Sequence, residues 1–473
     1  MVGIRGYGVY VPVHRLDRKQ VGAVLGIRAA RGERPVASYD EDTTTLGVAA
    51  VRRALGNVRA LHGEAGPAGA LWFATSRPAY LEKSNATTVL AASGLPASTP
   101  AYDVSGALRC GAGALAAALA HGDSVAVLSD MRIGLSASPD ELGGADVAAA
   151  LVTGEDPVAE LVASASVSSE FLDRWREPGD VRTYTWEERF GQEEHVPVAE
   201  EAITRVLEQA GADRESVAHV VLSGPHTRAI GALRGKFEPE QVALGGFTGL
   251  GYAGVADPGL QLVAALDAAV PGDLVLVVSV VDGADAFLFR ATERLADHLA
   301  SGLAEAAHGT PVSYGDYLLW RGLLPREPAR RPDVKPPVPP ASRRSSEWKF
   351  GFVAAGCTAC GYRNMPPRRV CLKCSSRDTF EPVPMVEVPA SIATFTTDWL
   401  SESVQLPATV VSVDFEGGGR FEFEMTDAVG VSPAIGDGVE PTFRVASVAG
   451  NKVRNYVWKV RPSGAASAQE EEN

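Results

Sequence analysis

The chain has 473 residues, too many for one compact core and enough for about two or three domains. Its net charge of −14, without any long stretch rich in Lys and Arg, argues against nucleic acid as the main partner, because phosphate binding needs clustered basic residues. No apolar run approaches the roughly 18 residues of a membrane-spanning helix, and the first residues lack a secretion-signal pattern, so we expect no membrane partner and a cytoplasmic location.

Residues 1–309 alternate short, β-rich apolar segments with helical segments rich in Ala and Leu. Strands are predicted at 70–76, 124–130, 218–224 and 273–281, and helices at 42–55 and 197–211. Strands separated by helices predict a layered α/β fold.

Two kinds of turn recur in the same order in this region. A Gly-Asp pair precedes a strand at 122–123, and Gly-Ala-Asp precedes the next strand at 144–146. The same two turns return at 272–273 and 283–285. The ordered repetition predicts a duplicated α/β unit. Chance repetition is the alternative, because Gly-Asp turns are common before strands.

The remainder of the chain has a different composition. The segment SYGDYLLWRGLLP (313–325) predicts a helix, and the Pro-rich, charged stretch that follows to 347 predicts an extended connector. Short alternating strands with Gly-rich turns at 386–462 predict a small barrel of the OB type. We therefore expect two halves of the α/β domain at 1–165 and 166–309, a helix and linker at 310–347, a metal-binding module at 348–385, the barrel at 386–462 and a disordered tail at 463–473.

Four of the five cysteines form two CxxC pairs that are ten residues apart. These cysteines are Cys357, Cys360, Cys371 and Cys374. Each CxxC turn aims two thiolates at one point, and four thiolates complete a tetrahedral site with no open position. The spacing predicts a structural Zn²⁺ site, with iron in a rubredoxin-like site as the alternative.

Two parts of the chain resemble known families. Residues 314–462 resemble the zinc-ribbon/OB-fold proteins that accompany thiolase-superfamily enzymes on acyl-CoA substrates, through YGDYLLWRGLL, the two CxxC pairs separated by PPR, and NYVWKVRP. Residues 1–309 resemble the thiolase superfamily, in particular archaeal-type 3-hydroxy-3-methylglutaryl-CoA synthase and ketoacyl synthase III-like proteins, through SYDEDTTTLGVAAVRRAL and ATSRPAYLEKSNATTVLAASGLP. The resemblance implies a duplicated, five-layer thiolase-like fold, then a zinc ribbon and an OB barrel, in a natural fusion of two otherwise separate subunits.

In the thiolase-like families a Cys accepts the acyl group, a His acts as acid and base, and an Asn helps to hold the thioester oxygen. Comparison without gaps places Leu108 at the Cys position, Ser223 at the His position and Leu250 at the Asn position. A leucine can neither accept an acyl group nor stabilise an oxyanion. We therefore expect the usual Cys-His-Asn condensation to be absent.

Suitable side chains lie close by in the sequence. Cys110 follows the family's Cys position by two residues, His226 follows its His position by three, and Tyr252 lies two beyond the Asn position. These three residues are the catalytic candidates if the loops that carry them are rebuilt. A lone Cys in a turn rich in Gly and Ala is also a common packing residue.

The resemblance implies a function in acyl-CoA handling, with a coenzyme A thioester as substrate or ligand and with a homodimer as the assembly. We expect a non-condensing scaffold or acyl-CoA-channelling subunit of an acyltransferase complex, working beside a separate thiolase-like catalytic subunit. One alternative is a condensing acyltransferase that uses Cys110 and His226. The other is a cysteine-free acyl-CoA aldolase in which a tyrosine such as Tyr252 or Tyr80 handles a proton.

Overall fold

The computed structural model describes residues 2–28, 31–63, 69–243, 249–307, 309–327, 335–401 and 403–463. Two compact units are present. The first comprises Met1–Ala37, Leu46–Leu90 and Leu95–Leu324, and the second comprises Ser38–Thr45, Ala91–Gly94 and Pro325–Asn473. Apart from residue 463, the tail expected at 463–473 lies outside the described residues. Among the helices that are described, none has both the length and the apolar character needed to cross a membrane.

Between Val2 and Trp320 the chain alternates strands and helices. In chain order these are β1 (Val2–Tyr10), β2 (His14–Asp17), α1 (Arg18–Leu25), β3 (Glu33–Val36), α2 (Thr43–His62), β4 (Ala70–Thr75), α3 (Ala86–Ala92), β5 (Ala101–Ser105), α4 (Cys110–His121), β6 (Ser124–Asp130), α5 (Pro139–Gly143), β7 (Val147–Glu155), β8 (Ala159–Ser168), β9 (Arg174–Trp175), β10 (Tyr184–Thr185), α6 (Glu188–Ala210), β11 (His219–Ser223), α7 (Thr227–Arg234), α8 (Asp257–Ala268), β12 (Leu274–Val280), β13 (Gly283–Ala291), β14 (Thr310–Pro311) and α9 (Tyr314–Trp320). The predicted strands correspond to β4, β6, β11 and β12.

A nine-stranded mixed sheet organises the first unit, in the order β11-β12-β13-β8-β1-β7-β6-β4-β5. β4 pairs in parallel with both β5 and β6, and β11 pairs in parallel with β12. The carboxyl ends of parallel strands meet at one edge of a sheet, which is where open α/β sheets bind ligands. The loops after β4, β5 and β6 therefore lie together, at the start of α4.

The predicted duplication is confirmed by the strand pairing. The first Gly-Asp turn leads into β6 and the first Gly-Ala-Asp turn into β7, and these strands are antiparallel neighbours. The second Gly-Asp turn leads into β12, the second Gly-Ala-Asp forms the first three residues of β13, and these two strands are also antiparallel neighbours. The two halves thus use the same turns at corresponding places in the sheet.

Two helices are longer than the sequence predicted, since α2 continues beyond the expected residue 55 to His62 and α6 begins early. A helix was expected from residue 197, but α6 begins at Glu188 and contains Pro197. Proline removes one helical hydrogen bond. The buried face of α6, which includes His195 and Ile203, packs against the sheet and maintains the helix through that position.

Gly111 determines how closely α4 approaches the segment that precedes α8. A Cβ atom at this position would lie 2.3 Å from the carbonyl oxygen of Val255. Only glycine permits this approach, because real side chains do not tolerate such a distance. The contact fixes the position of Cys110, the first residue of α4.

The second unit contains a three-stranded ribbon and a five-stranded barrel. Its elements are α10 (Pro339–Gly351), β15 (Val353–Cys357), β16 (Arg363–Asn364), β17 (Phe380–Pro384), β18 (Ala390–Asp398), β19 (Ala408–Phe415), β20 (Arg420–Glu424), β21 (Gly438–Val448) and β22 (Arg454–Pro462). The barrel order is β20-β19-β18-β21-β22, and a parallel bridge from Met425 to Val460 joins its two ends. A five-stranded Greek-key barrel closed in this way is the OB arrangement, as predicted.

The expected connector at 325–347 is extended only in part. Residues 339–351 form α10, whereas 328–334 lie outside the described residues. Pro339 and Pro340 occupy the first helical turn, where the missing N–H groups would have no helical partner in any case. Trp348 and Phe352 then pack against aromatic rings of the barrel.

A group of buried charges joins residues 38–45 to the barrel strands of the second unit. Nη1 of Arg444 lies 2.8 Å from Glu41 Oε1 and 3.2 Å from Asp40 Oδ1, and Nη2 contacts Asp427. Nζ of Lys459 lies 3.0 Å from Asp40 Oδ2. Burial opposes the charge on Asp40, but Arg444 and Lys459 outweigh it and lower the pKa of that carboxyl.

Replacing Arg444 by Met should destabilise the second unit by about 3–5 kcal/mol, because it leaves buried carboxylates without their cation. Urea titration followed by far-ultraviolet circular dichroism should show an earlier transition. Arg420→Met is the matched control, since Arg420 pairs with Asp414 on an exposed part of the barrel. Equal midpoints for the two variants would contradict the stabilising role of the buried group.

Candidate functional site

Cys110 lies at the carboxyl end of β5 and begins α4. Burial raises the pKa of its thiol to about 12, and the negative charge of Asp130 adds to the increase. A helix amino terminus favours a thiolate, yet here burial and the neighbouring carboxylate outweigh it. The thiol is therefore protonated at neutral pH.

The two residues before Cys110 have structural contacts. Leu108 lies in the turn between β5 and α4 and packs against the core of the first unit. Arg109 forms an ion pair with Asp285, with Nε 2.8 Å from Oδ2, and also donates to the carbonyl oxygen of Asp282 at 2.6 Å. The turn is thus held against the end of β12 and the start of β13.

His226 caps a helix and has no contact with Cys110. Its Nδ1 accepts a hydrogen bond from the backbone N–H of Ala229 at 3.1 Å, at the start of α7. Its ring centroid lies 5.4 Å from that of His195, whose Nε2 is 3.1 Å from Asp173 Oδ2. Within the described residues no hydrogen bond links Cys110 to His226, so the two candidates do not form a Cys-His pair.

Ser223 and Leu250, which the sequence comparison predicted at the family's His and Asn positions, have structural surroundings. Ser223 is 1% exposed at the end of β11, beside the carboxyl of Asp257. Leu250 uses its carbonyl oxygen to accept a hydrogen bond from Arg18 Nη2 at 3.1 Å. The residues just before it, 244–248, lie outside the described part of the chain.

Tyr252 is held in place by backbone hydrogen bonds and by an arginine side chain over its ring. Its backbone N–H donates to the carbonyl oxygen of Gly143 at 2.8 Å, and its own carbonyl accepts from Ala145 at 3.0 Å. The Arg132 guanidinium lies over its ring, 5.7 Å from the centroid. Burial and the charge of Asp257 raise the pKa of its hydroxyl, which makes Tyr252 a weaker proton donor than an ordinary tyrosine.

A group of buried charges that the sequence did not predict lies next to Cys110. We call it the arginine cluster, and it consists of Arg77, Arg132, Arg174 and Arg176 with the carboxylates Asp130 and Asp140. Asp140 Oδ1 lies 2.5 Å from Arg132 Nη2 and 2.6 Å from Arg174 Nη2. Burial opposes the charge on Asp140, but the two arginines lower its pKa to about 2. The sequence signal for this cluster was Asp-Met-Arg, which begins at the last residue of the predicted strand at 124–130.

The four CxxC cysteines converge at one point in the second unit. All four Sγ atoms lie within 4.8 Å of one another, with 3.6 Å between Cys357 and Cys374 and 3.7 Å between Cys360 and Cys371. Sulfurs bound to a shared tetrahedral zinc ion would lie about 3.8 Å apart. The geometry fits such an ion.

The residues that follow each CxxC pair explain the shape of the two turns. Gly361 and Ser375 have left-handed φ angles of 75° and 63°. Their N–H groups return to the carbonyl oxygens of Cys357 and Cys371. Burial disfavours the Cys371 thiolate, but backbone N–H donors from the second CxxC turn outweigh it and lower the thiol pKa to about 6.

Comparison with known proteins finds similar proteins for both units. Residues 351–381 match the family described as ChsH2, rubredoxin-like zinc ribbon domain. The hydroxymethylglutaryl-CoA synthase of Methanopyrus kandleri is 30% identical over 344 residues, which cover 67% of this chain and 96% of that enzyme. The chain belongs to the hydroxymethylglutaryl-CoA synthase family. The enzyme of Pyrobaculum aerophilum is 29% identical, over 68% of this chain and 98% of its own.

Solved structures of lower identity confirm the thiolase-like fold of the first unit. MvaS in complex with 3-hydroxy-3-methylglutaryl coenzyme A has a TM-score of 0.57 at 22% identity, and the match covers 72% of this chain and 94% of MvaS. The 3-oxoacyl-[acyl-carrier-protein] synthase III of Aquifex aeolicus has a TM-score of 0.53 at 21% identity, over 61% of this chain and all of its own. The resemblance predicted from sequence is therefore confirmed for the family and for the fold.

The raised pKa of Cys110 predicts poor reactivity toward iodoacetamide. At pH 8 its alkylation should be on the order of a thousandfold slower than that of a free cysteine, because the thiolate is so scarce. Peptide mapping by mass spectrometry measures the rate at this one site. The same protein in guanidinium chloride is the control, and there Cys110 should react at the ordinary rate. A native rate equal to the denatured rate would contradict the buried, protonated thiol.

Proposed function

We propose that this chain is a non-condensing member of the hydroxymethylglutaryl-CoA synthase family, which binds acyl-CoA without forming an acyl-cysteine intermediate. The observation that carries the proposal is the position of Cys110, which packs against the core beside the carboxylate of Asp130 and, within the described residues, makes no hydrogen bond with His226. The replacement of the family positions by Leu108, Ser223 and Leu250 supports it further.

Coenzyme A is the proposed ligand group because related proteins bind it. One solved structure with a TM-score of 0.57 is an HMG-CoA synthase complexed with CoA, and a second holds 3-hydroxy-3-methylglutaryl coenzyme A. A scaffold without a nucleophile can still hold a thioester in position for a second enzyme, where proximity accelerates the transfer. We propose a separate thiolase-like subunit as that enzyme, because the zinc-ribbon/OB part resembles proteins that work beside one.

The assembly we propose is a homodimer formed at the edge of the nine-stranded sheet. β5 is the last strand of that sheet, and within the described residues its outer edge has no partner strand. Tyr102 on β5 is 50% exposed. An unpaired edge with an exposed aromatic residue favours association with another strand.

A second candidate function is that of a cysteine-free acyl-CoA aldolase. The pair formed by His195 and Asp173, with His226 beside it, favours this candidate because it supplies acid–base groups that need no thiolate. Tyr252 does not favour it, since burial makes its hydroxyl a poorer donor. Release of a ketone or aldehyde from a 3-hydroxyacyl-CoA by the purified chain would distinguish an aldolase from a scaffold.

We further propose that the four cysteines bind a structural zinc ion. Four thiolates would fill the coordination sphere and leave no place for a substrate. The ion would join the two CxxC turns of the ribbon and stabilise a module too small to fold on its own core alone.

The absence of acyl transfer is tested by the intact mass of the denatured protein after incubation with acetyl-CoA and with acetoacetyl-CoA. We expect no gain in mass, together with binding of both thioesters by the native protein in equilibrium dialysis. A gain of one acyl group, mapped to Cys110 and lost in Cys110→Ala, would make the chain a condensing enzyme and would overturn the proposal.

The metal is tested by inductively coupled plasma mass spectrometry of the purified chain. We expect one zinc ion per chain and its loss in Cys360→Ser, because three thiolates hold zinc far less tightly than four. Cys110→Ser is the matched control and should retain the zinc. Iron in place of zinc would show a rubredoxin-like site instead.

A further inference from the structure

We propose that a cavity at the amino end of β12 binds a small organic ammonium ion, a positively charged amine on an apolar body, and that the carboxylate of Asp267 holds its charge. The cavity lies far from Cys110, so the inference goes beyond the proposed function and does not depend on it. It adds a binding site and a class of ligand to the first unit.

The cavity lies at the end of α8 that is remote from Cys110. Its walls are the last residues of α8, the loop that leads into β12, and residues 295–305, which follow β13. The other end of α8 is preceded by Val255, which packs against Gly111. The 12 residues of α8 extend about 18 Å between these two places. A ligand in the cavity would therefore not overlap a group bound beside Cys110.

The cavity has the size and the lining of a small-molecule site. Its volume is about 420 Å³, and pockets for organic ligands usually enclose roughly 300–1,000 Å³. Apolar side chains supply much of the lining, among them Leu266, Val270, Leu295 and Leu299. Val270 is 61% exposed and Leu299 is 54% exposed. An apolar ligand body would remove this surface from water, which favours binding.

The carboxylate of Asp267 is held in a fixed direction beside this apolar surface. The hydroxyl of Tyr7 donates to Oδ1 at 3.0 Å, and the hydroxyl of Ser301 donates to Oδ2. Tyr7 and Ser301 are only 1% and 2% exposed, whereas Asp267 is an exposed residue. Two buried hydroxyl groups thus orient an accessible carboxylate. A charged group that is oriented in advance loses little freedom when a ligand binds to it.

The negative charge of Asp267 is not balanced within the cavity. Its two hydrogen bonds use one acceptor position on each oxygen, and an ionised carboxylate offers about four. No Lys, Arg or His of the described residues forms an ion pair with it. The carboxylate of Glu305, which also lines the cavity, is already bound by Arg53 Nη2 at 2.8 and 2.9 Å. The lining therefore keeps one negative charge that a positively charged ligand would balance.

The imidazole of His298, which also lines the cavity, does not supply that positive charge. Its ring stacks on Tyr7, with 3.8 Å between the centroids and 15° between the planes. Its Nε2 accepts a hydrogen bond from the backbone N–H of Tyr7 at 3.2 Å and so carries no proton. Burial lowers the pKa of His298 to about 4. At neutral pH this ring neither neutralises Asp267 nor repels an ammonium ion.

The experiment is isothermal titration calorimetry of the full-length chain with tryptamine, tryptophol and indole-3-propionate. The three compounds share an indole ring and a two-carbon arm, and they differ in whether the arm ends in an ammonium, a hydroxyl or a carboxylate group. We expect tryptamine to bind about tenfold more tightly than tryptophol, the effect of one charge-assisted hydrogen bond. Indole-3-propionate should bind more weakly than tryptophol, because its charge is repelled by Asp267.

The variant Asp267→Asn keeps the shape of the side chain and removes its charge. It should bring the affinity for tryptamine to within about twofold of that for tryptophol. Asp297→Asn is the matched control, because Asp297 is exposed on the same segment after β13 but does not line the cavity, and this variant should retain the preference. Circular dichroism checks that both variants are folded.

Spermidine tests whether the apolar body is needed, since it carries several ammonium groups and no ring. It should bind more weakly than tryptamine in about 0.15 M salt, where attraction between exposed charges is largely screened. Spermidine binding as tight as that of tryptamine would contradict the assigned class of ligand.

Three results would overturn the inference outright. The first is equal affinity of the wild-type chain for tryptamine and tryptophol, and the second is no binding of either compound. The third is a preference for tryptamine that survives Asp267→Asn or disappears in Asp297→Asn, because the charge of Asp267 would then not select the amine. None of these results bears on the proposed binding of acyl-CoA, which equilibrium dialysis measures separately.

Discussion

The buried carboxylate of Asp130 is the interaction on which the site of the first unit depends. It accepts hydrogen bonds from Ser76 Oγ after β4 and from the backbone N–H of Val255, and it faces Arg132 at the end of its own strand. One side chain thus joins three loops that are remote in sequence. The same charge raises the pKa of the thiol of Cys110. The group that holds the loops together therefore adds to the effect of burial, which is the larger cause of the raised pKa.

This arrangement leaves little room for variation around Asp130. Gly254 has a φ of 59°, and a Cβ atom there would lie 2.1 Å from Asp130 Oδ2. Gly111 is needed in the same way for the approach of α4 to Val255. Both glycines serve a packing requirement, because any larger residue would separate the loops. The result is a site rich in charge beside Cys110.

The second unit uses buried charge in a different way. The acidic residues Asp40 and Glu41 come from far upstream in the sequence, yet they lie against Arg444 and Lys459 of the barrel. A buried cation with several carboxylates specifies its partners more strictly than apolar packing does, because any other pairing leaves charge uncompensated. Residues 38–45 are therefore part of the fold of the second unit, together with the barrel.

Much of the architecture follows from local pattern. Apolar segments with turn residues between them predicted the strands of the sheet, and the spacing of the cysteines predicted their convergence, because both depend on neighbours in the sequence. The start of α6 and the helix α10 were missed for a related reason. Pro197 and the Pro-rich segment before Trp348 predicted interruptions of helical structure. Packing against the sheet stabilises α6, and packing against the barrel stabilises α10.

The sequence by itself determined the family, the two kinds of domain and the four cysteines of the ribbon. The tertiary structure alone decided the state of Cys110 and the existence of the arginine cluster. Proton affinity and charge balance depend on which groups lie within a few ångströms, and those groups come from separate strands and loops. Such neighbours meet only when the sheet has formed.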